Sequence, residues 1–300
     1  MATEFKGQRA ATREARKLFR RQIDKSLECL ERRSISEESI HRARKQIKKA
    51  RAILRLLRPA LSNKQYHAEN ARLRDAARPL SAARDAAMLR KTFQHIQTGV
   101  RAGGIRSGSR EIDQILANEE SEAHRRVAGK DGVPHSRRLL REARVRTSRF
   151  HLGKHGWSTI GEGVRRVYSQ GRKALKAVTK APSDTAFHEW RKQVKYLRYE
   201  VQLLRPIRPA PLDALTRELY SLGDYLGDDH DLVVLRARLT APGSPLHGSS
   251  GGRALLEKLD RERAGLQQKA LKVGAEIFAQ PPAPFCSRLR QHWRNWRGSR

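Results

Sequence analysis

The sequence predicts an all-α protein built by internal duplication, and three observations carry that expectation. Apolar residues recur at the three- and four-residue spacing of a helix through most of the chain, beginning with Phe19, Ile23, Leu27 and Leu30. Nowhere do apolar and polar residues alternate for more than a few positions, as a half-buried strand would require. The segment HRARKQIKKARAILRLLRP at 41–59 returns as HEWRKQVKYLRYEVQLLRP at 188–206, identical at ten of nineteen aligned positions.

Taken in order, the first helix runs from about Thr12 to Arg32. Ser34, with Glu37 three residues on, has the form of a capping box opening the basic helix, and Pro59 stops it. A third helical segment starts near Asn63, is expected to break near Pro79, and resumes through RDAAMLRKTFQHI. The glycine-rich stretch 98–109 predicts a loop, followed by helices at 110–127 and 135–149. HLGKHGWSTIGEG, 151–163, interrupts the pattern and divides the chain into an N-terminal half, 1–150, and a C-terminal half, 151–300. The second half repeats the plan with a helix near 162–179 and the basic helix to Leu204. Helices from Pro211 to Leu226 and from Asp229 to Leu239, a flexible loop at 241–252 and a last helix over 253–278 complete it. Beyond the basic helices, LSAARDAAMLR from Leu80 matches LGDDHDLVVLR from Leu226, pairing Asp85 with Asp231 and Arg90 with Arg236. The spacing is 146 residues here and 147 in the basic helices, so the halves read as structural copies, each long enough for a four-helix bundle.

A duplicated core explains repeated leucines, but not repeated cations. At about 100° per residue, His41, Arg44, Lys45, Lys48, Arg51, Arg55 and Arg58 share one arc, while Ile40, Ala43, Ile47, Ala50, Leu54 and Leu57 face elsewhere. The second copy sets His188, Arg191, Lys192, Lys195, Arg198 and Arg205 on its ridge, with Gln202 where the first has Arg55. Arg42 and Lys49 fall off the ridge on the same wheel. Two ridges of this kind suggest one composite site for an anion, the alternative being a solvated face kept for solubility.

Composition agrees. The chain holds 64 Lys and Arg against 31 Asp and Glu, a formal charge of +33, yet 38% of its residues are hydrophobic, so it can build a core and stay strongly cationic. Such charge density repels itself unless counter-anions are present. Cys29 and Cys286 stand too far apart in sequence for a disulfide framework or a metal-type pair. No stretch has the length and apolarity of a membrane span, and the first residues lack the apolar core of a secretory signal. A reducing, cytoplasmic setting is the expectation, with no membrane association and no cofactor.

At these motifs the chain resembles the CHAD family, the conserved histidine α-helical domain. The likeness rests on His41 and His188, each followed by Arg-Lys and further cations at helical spacing, and on LRDAARPLSAARD and LGDDHDLVVL. The resemblance implies two pseudo-symmetric four-helix bundles with a basic groove or pore between them, inorganic polyphosphate as ligand, and a place at polyphosphate granules. Family members often carry a triphosphate-tunnel domain ahead of this one, but its alternating Glu-x-Glu-x-Lys strand is not found near the start of this sequence. Catalysis borrowed from such a partner is not assumed.

A row of Lys and Arg one helical turn apart would meet successive phosphates of a flexible polyanion, Arg as a fork of donors and Lys as a mobile point charge. Arg20 of the first helix is expected to contribute at the edge. His41 and His188 read either as phosphate contacts, protonated more readily beside a polyanion, or as helix-start residues bonded to a neighbour. Asp224, Asp228, Asp229, His230 and Asp231 form an acidic knot. It reads as caps and salt bridges, as a divalent-cation bridge to phosphate, or as a hydrolytic centre. Trp293 and Trp296 among arginines read as a docked helix end or as a stacking platform for bases. The expectation is a non-enzymatic polyphosphate-binding module with no metal site. The alternatives are a sequence-independent nucleic-acid binder, which leaves weak nucleic-acid binding in view, and a metal-dependent phosphoanhydride hydrolase.

Overall fold

In the computed structural model, residues 11–31, 36–98, 105–153 and 155–296 are described, and all of their regular structure is helical. Ten α-helices follow in order: α1 (Ala11–Leu30), α2 (Glu37–Leu57), α3 (Asn63–Gln97), α4 (Ile105–Ala128) and α5 (Val133–Thr147), then α6 (Trp157–Lys180), α7 (Asp184–Leu204), α8 (Pro209–Thr240), α9 (Ser250–Ile277) and α10 (Pro282–Asn295). α2 and α7 have the same length, and each ends in a 3-10 turn at Arg58–Ala60 or Arg205–Ile207, where Pro59 and Pro206 withdraw a backbone donor. Among the described residues, no helix is long and apolar enough to cross a membrane.

Several boundaries differ from the sequence reading, each for a physical reason. Ser34 lies outside the described residues; the cap of α2 is Ser36, whose hydroxyl accepts from the Ser39 amide. α3 does not break at Pro79. Ala76, Leu80 and Ala83 are fully buried on either side of it, so packing holds the helix through a missing hydrogen bond. α8 likewise runs unbroken through Gly227 and Asp228, because Leu226 and Leu232 bury against their neighbours on both sides of the expected break. α4 begins at Ile105, inside the expected loop of 98–109, and residues 99–104 of that loop lie outside the described residues. Trp157 to Gly163 belong to α6 rather than to a linker, and α9 takes in residues 250–252.

The layout is finer than two bundles side by side. In the N-terminal half α1, α2, α3 and α5 enclose a core. In the C-terminal half α6, α7 and α8 are closed by α9, and α10 lies against α6. The main core is continuous across the halves, from Phe19, Ile47 and Leu54 to Tyr168, Trp190 and Val201. A second core joins the far ends of α3 and α4 to α8 and α9 through Phe93, Ile96, Ile112, Leu116, Leu232, Leu235, Leu255 and Leu259. The halves meet where α2 packs on α6 and α7, and α3 on α8. At Gly163 of α6 an added Cβ would sit 2.5 Å from the carbonyl oxygen of Leu56, so only glycine permits that approach of α6 to α2.

Candidate functional site

The seam between α2 and α7 collects the repeated cations. Trp190, Val194, Leu197 and Val201 turn one face of α7 into the core, and Ile40, Ala43, Ile47 and Leu54 do the same for α2, which leaves the cationic arcs at the junction. Arg191 of α7 lies within electrostatic reach of Arg44 and Lys48 of α2, and Lys195 within reach of Lys48. Arg44 and Arg191 are counterparts in the two copies, and so are Lys48 and Lys195. The reciprocal pairs agree: Arg51 lies near Tyr196, and their counterparts Arg198 and Lys49 lie near each other.

α3 and α8 flank this floor. The guanidinium of Arg44 donates to Asp85 at 3.3 Å, and Arg191 faces the matching Asp231. His41 lies beside Arg84, whose counterpart His230 stands 4.7 Å from the ring of His188. Toward the other end the guanidinium of Arg55 stacks over Tyr196 across the seam at 3.6 Å, Arg58 over Tyr66 at 4.4 Å and Arg198 over Tyr220 at 4.1 Å. Arg51 and Arg55 both donate to the side-chain oxygen of Asn70. Among the described residues, several buried donors here meet no partner: Nε of Arg58, Arg191 and Arg198. Buried donors of this kind are costly unless something accepts from them.

The remaining ridge residues are partly engaged. Lys45 is exposed, Lys192 is held by Glu189 at 2.7 Å, and Arg205 donates to Asp213 at 2.7 Å. Arg20 is exposed on α1, and among the described residues no hydrogen bond, ion pair or ring contact joins it to α2 or α7. The α1 cation within reach of α2 is Lys25, which neighbours Lys49. Lys49, placed off the ridge by the helical wheel, lies within electrostatic reach of Arg198 of α7, on the side from which α7 packs. Repetition could not reveal Lys49, since its counterpart is Tyr196.

The model of the CHAD domain matches residues 11–240. The chain belongs to the CHAD domain family. The match spans both copies of the seam from His41 to Arg205, and α9 and α10 lie largely beyond it. Two solved structures share the fold. PptA from Streptomyces chartreusis superposes with a TM-score of 0.64 at 16% identity, covering 87% of this chain and 96% of that one. The CHAD domain from the plant Ricinus communis gives 0.54 at 16% identity, covering 100% of this chain and 96% of that one. No curated protein sequence matches this CHAD chain.

Charge crowding sets the protonation of the CHAD seam. Burial, then Arg191, Lys48 and Arg198, lower Lys195 to about 6, with Asp231 opposing. Desolvation, then Arg44 and Arg191, lower Lys48 to about 8, although the residue keeps much of its surface open to solvent. His41 and His188 are both lowered, first by burial and then by Arg84 and Arg191 respectively, which favours their neutral forms. Burial and Arg191 push His230 down to about 4.

The acidic knot separates into roles. Asp229 is buried and accepts from Arg263 at 3.1 Å and Gln267 at 2.9 Å, tying α8 to α9. Asp231 faces Arg191, and Asp228 lies close to Asp231 and Asp224. Among the described residues, the side chains close enough to share a metal ion are Glu37, Glu120 and His124, not this knot. Glu120 accepts from Arg90 and Glu37 lies 4.0 Å from Arg84, which makes them members of a salt-bridge network. Trp293 is buried against Trp157 at 5.5 Å between ring centres, docking α10 on α6 as a packed helix end.

Proposed function

We propose that this CHAD chain binds inorganic polyphosphate along the seam between α2 and α7 and does not turn it over. The observation that carries the reading is the meeting of equivalent cations from the two copies, Arg44 with Arg191 and Lys48 with Lys195, flanked by arginine donors that lack acceptors among the described residues. Proteins do not gather four like charges on one floor without cost, and a linear anion with about one charge per phosphate offsets that cost. The arginines supply forked donors, the lysines mobile charges, and Asn70 and the tyrosine rings hold Arg51, Arg55 and Arg58 in place. The family resemblance supplies the identity of the polymer and the setting at cytoplasmic polyphosphate granules. The binding role without chemistry is supported by the partners of the acidic residues: Asp85 and Asp231 face guanidinium groups, and Asp229 is held in a structural bridge.

The test is competition. Long-chain polyphosphate is bound in a salt series and challenged with duplex DNA and RNA at equal phosphate concentration, with affinity falling steeply as salt rises. The polyphosphate complex is expected to persist against nucleic acid. Displacement by either nucleic acid would replace this reading with a general phosphate-backbone binder. Turnover of polyphosphate or nucleoside triphosphate by purified protein with magnesium or manganese, abolished in D231N, would make it an enzyme.

A further inference from the structure

Glu120 and His124 stand one turn apart on α4, so their side chains leave the same face of that helix. Glu37, in the first turn of α2, reaches the same spot. One carboxylate oxygen from each glutamate and a ring nitrogen of His124 lie within 4.8 Å of one another. The imidazole is half-buried, and among the described residues no hydrogen bond, ion pair or ring contact engages it. Arginines hold the two carboxylates only loosely. Glu37 lies 4.0 Å from Arg84, and Arg90, 3.3 Å from Glu120, is fixed independently by bonds to Asp113 at 3.1 and 3.2 Å. Either glutamate can therefore turn toward a cation while Arg90 keeps its anchor.

We propose that Glu37, Glu120 and His124 form a binding site for a divalent transition ion of the zinc class, which pins the start of α2 to α4. The donor set decides the class. One imidazole nitrogen with two carboxylates suits zinc, with water in the fourth position, whereas magnesium prefers oxygen ligands and keeps several waters. Bonds of about 2.0–2.1 Å set neighbouring ligands of a tetrahedral ion about 3.3 Å apart, so the three groups need to close by about 1 Å, a shift that side-chain torsions supply. The resulting cross-link is one that packing does not provide, because α2 packs on α1, α3, α6 and α7, and α4 on α3, α5 and α9. His41 follows Glu37 by one turn, so the ion braces the end of the helix that carries the first cationic ridge. The site does not depend on which polyanion the seam takes.

The experiment is calorimetric titration of the metal-free, untagged full chain with zinc at neutral pH and without phosphate, repeated with cobalt as a coloured substitute. Zinc is expected to fill one such site per chain, cobalt to give the visible absorption of a tetrahedral ion, and equimolar magnesium to displace neither. H124N and E37Q are each expected to weaken zinc at this site by more than about tenfold, since even residues that only orient metal ligands are worth about that much. Glu37 is exposed, so E37Q leaves the core untouched. Absence of zinc binding, zinc binding that survives either substitution, or displacement by equimolar magnesium overturns the inference.

Discussion

Among single residues, Glu200 shows how far the two copies have diverged. It is fully buried on α7, neither carboxyl oxygen meets a partner among the described residues, and its counterpart in the first copy is the core residue Ile53. Burial raises its pKa well above the usual carboxylate value, with Arg55 opposing only in part. Because the folded value lies above the unfolded one, the protonated acid is tolerated at low pH, and stability is lost as pH rises from about 4.5 toward the folded value. Glu200→Ile is expected to stabilise the fold by about 1–3 kcal/mol, the usual cost of an unsatisfied buried polar group. Its advantage in denaturant unfolding should widen between pH 5 and pH 8. A constant difference across that range would show that Glu200 does not change its protonation on unfolding. The same scale marks what could be read in the sequence. Lys48 and Lys195 were legible because both copies kept them, whereas Lys49 and Tyr196, which occupy equivalent places with different chemistry, leave no repeated signal.

For the helices, periodicity located nearly every segment and misjudged where they stop. Pro79 and the Gly227-Asp228 pair are local breakers, but α3 and α8 pass through them, since leucines and alanines on both sides are already committed to buried contacts. The register of α2 against α7 was not legible, because a helical wheel gives the direction of each side chain and not the direction from which a second helix arrives. The approach of α6 to α2 depends on Gly163, where a methyl group would press on the Leu56 backbone. Gly163→Ala is therefore expected to destabilise the protein by about 1–3 kcal/mol, as overpacking does, despite the higher helix propensity of alanine. A rise in Tm for this variant would show that α6 can withdraw from α2 without loss.

For the whole molecule, the likeness of α2 and α7 was readable from the repeated segment, but the division of labour among the other helices was not. α5 closes the first half and α9 the second, and a separate core of α3, α4, α8 and α9 binds the two together. A continuous main core across the halves keeps α2 and α7 in fixed register, which a composite seam requires. The net charge of +33 attracts polyanions by itself, so the claim that function resides in the seam must be separated from attraction by charge alone. The direct measurement compares polyphosphate affinity, at moderate salt, of K48E/K195E with that of R138E/R141E, which alters exposed arginines of α5 paired with Glu142 and Glu31. Both variants change the formal charge equally. The seam variant is expected to lose at least tenfold more affinity than the α5 variant, and equal losses in the two would contradict the account.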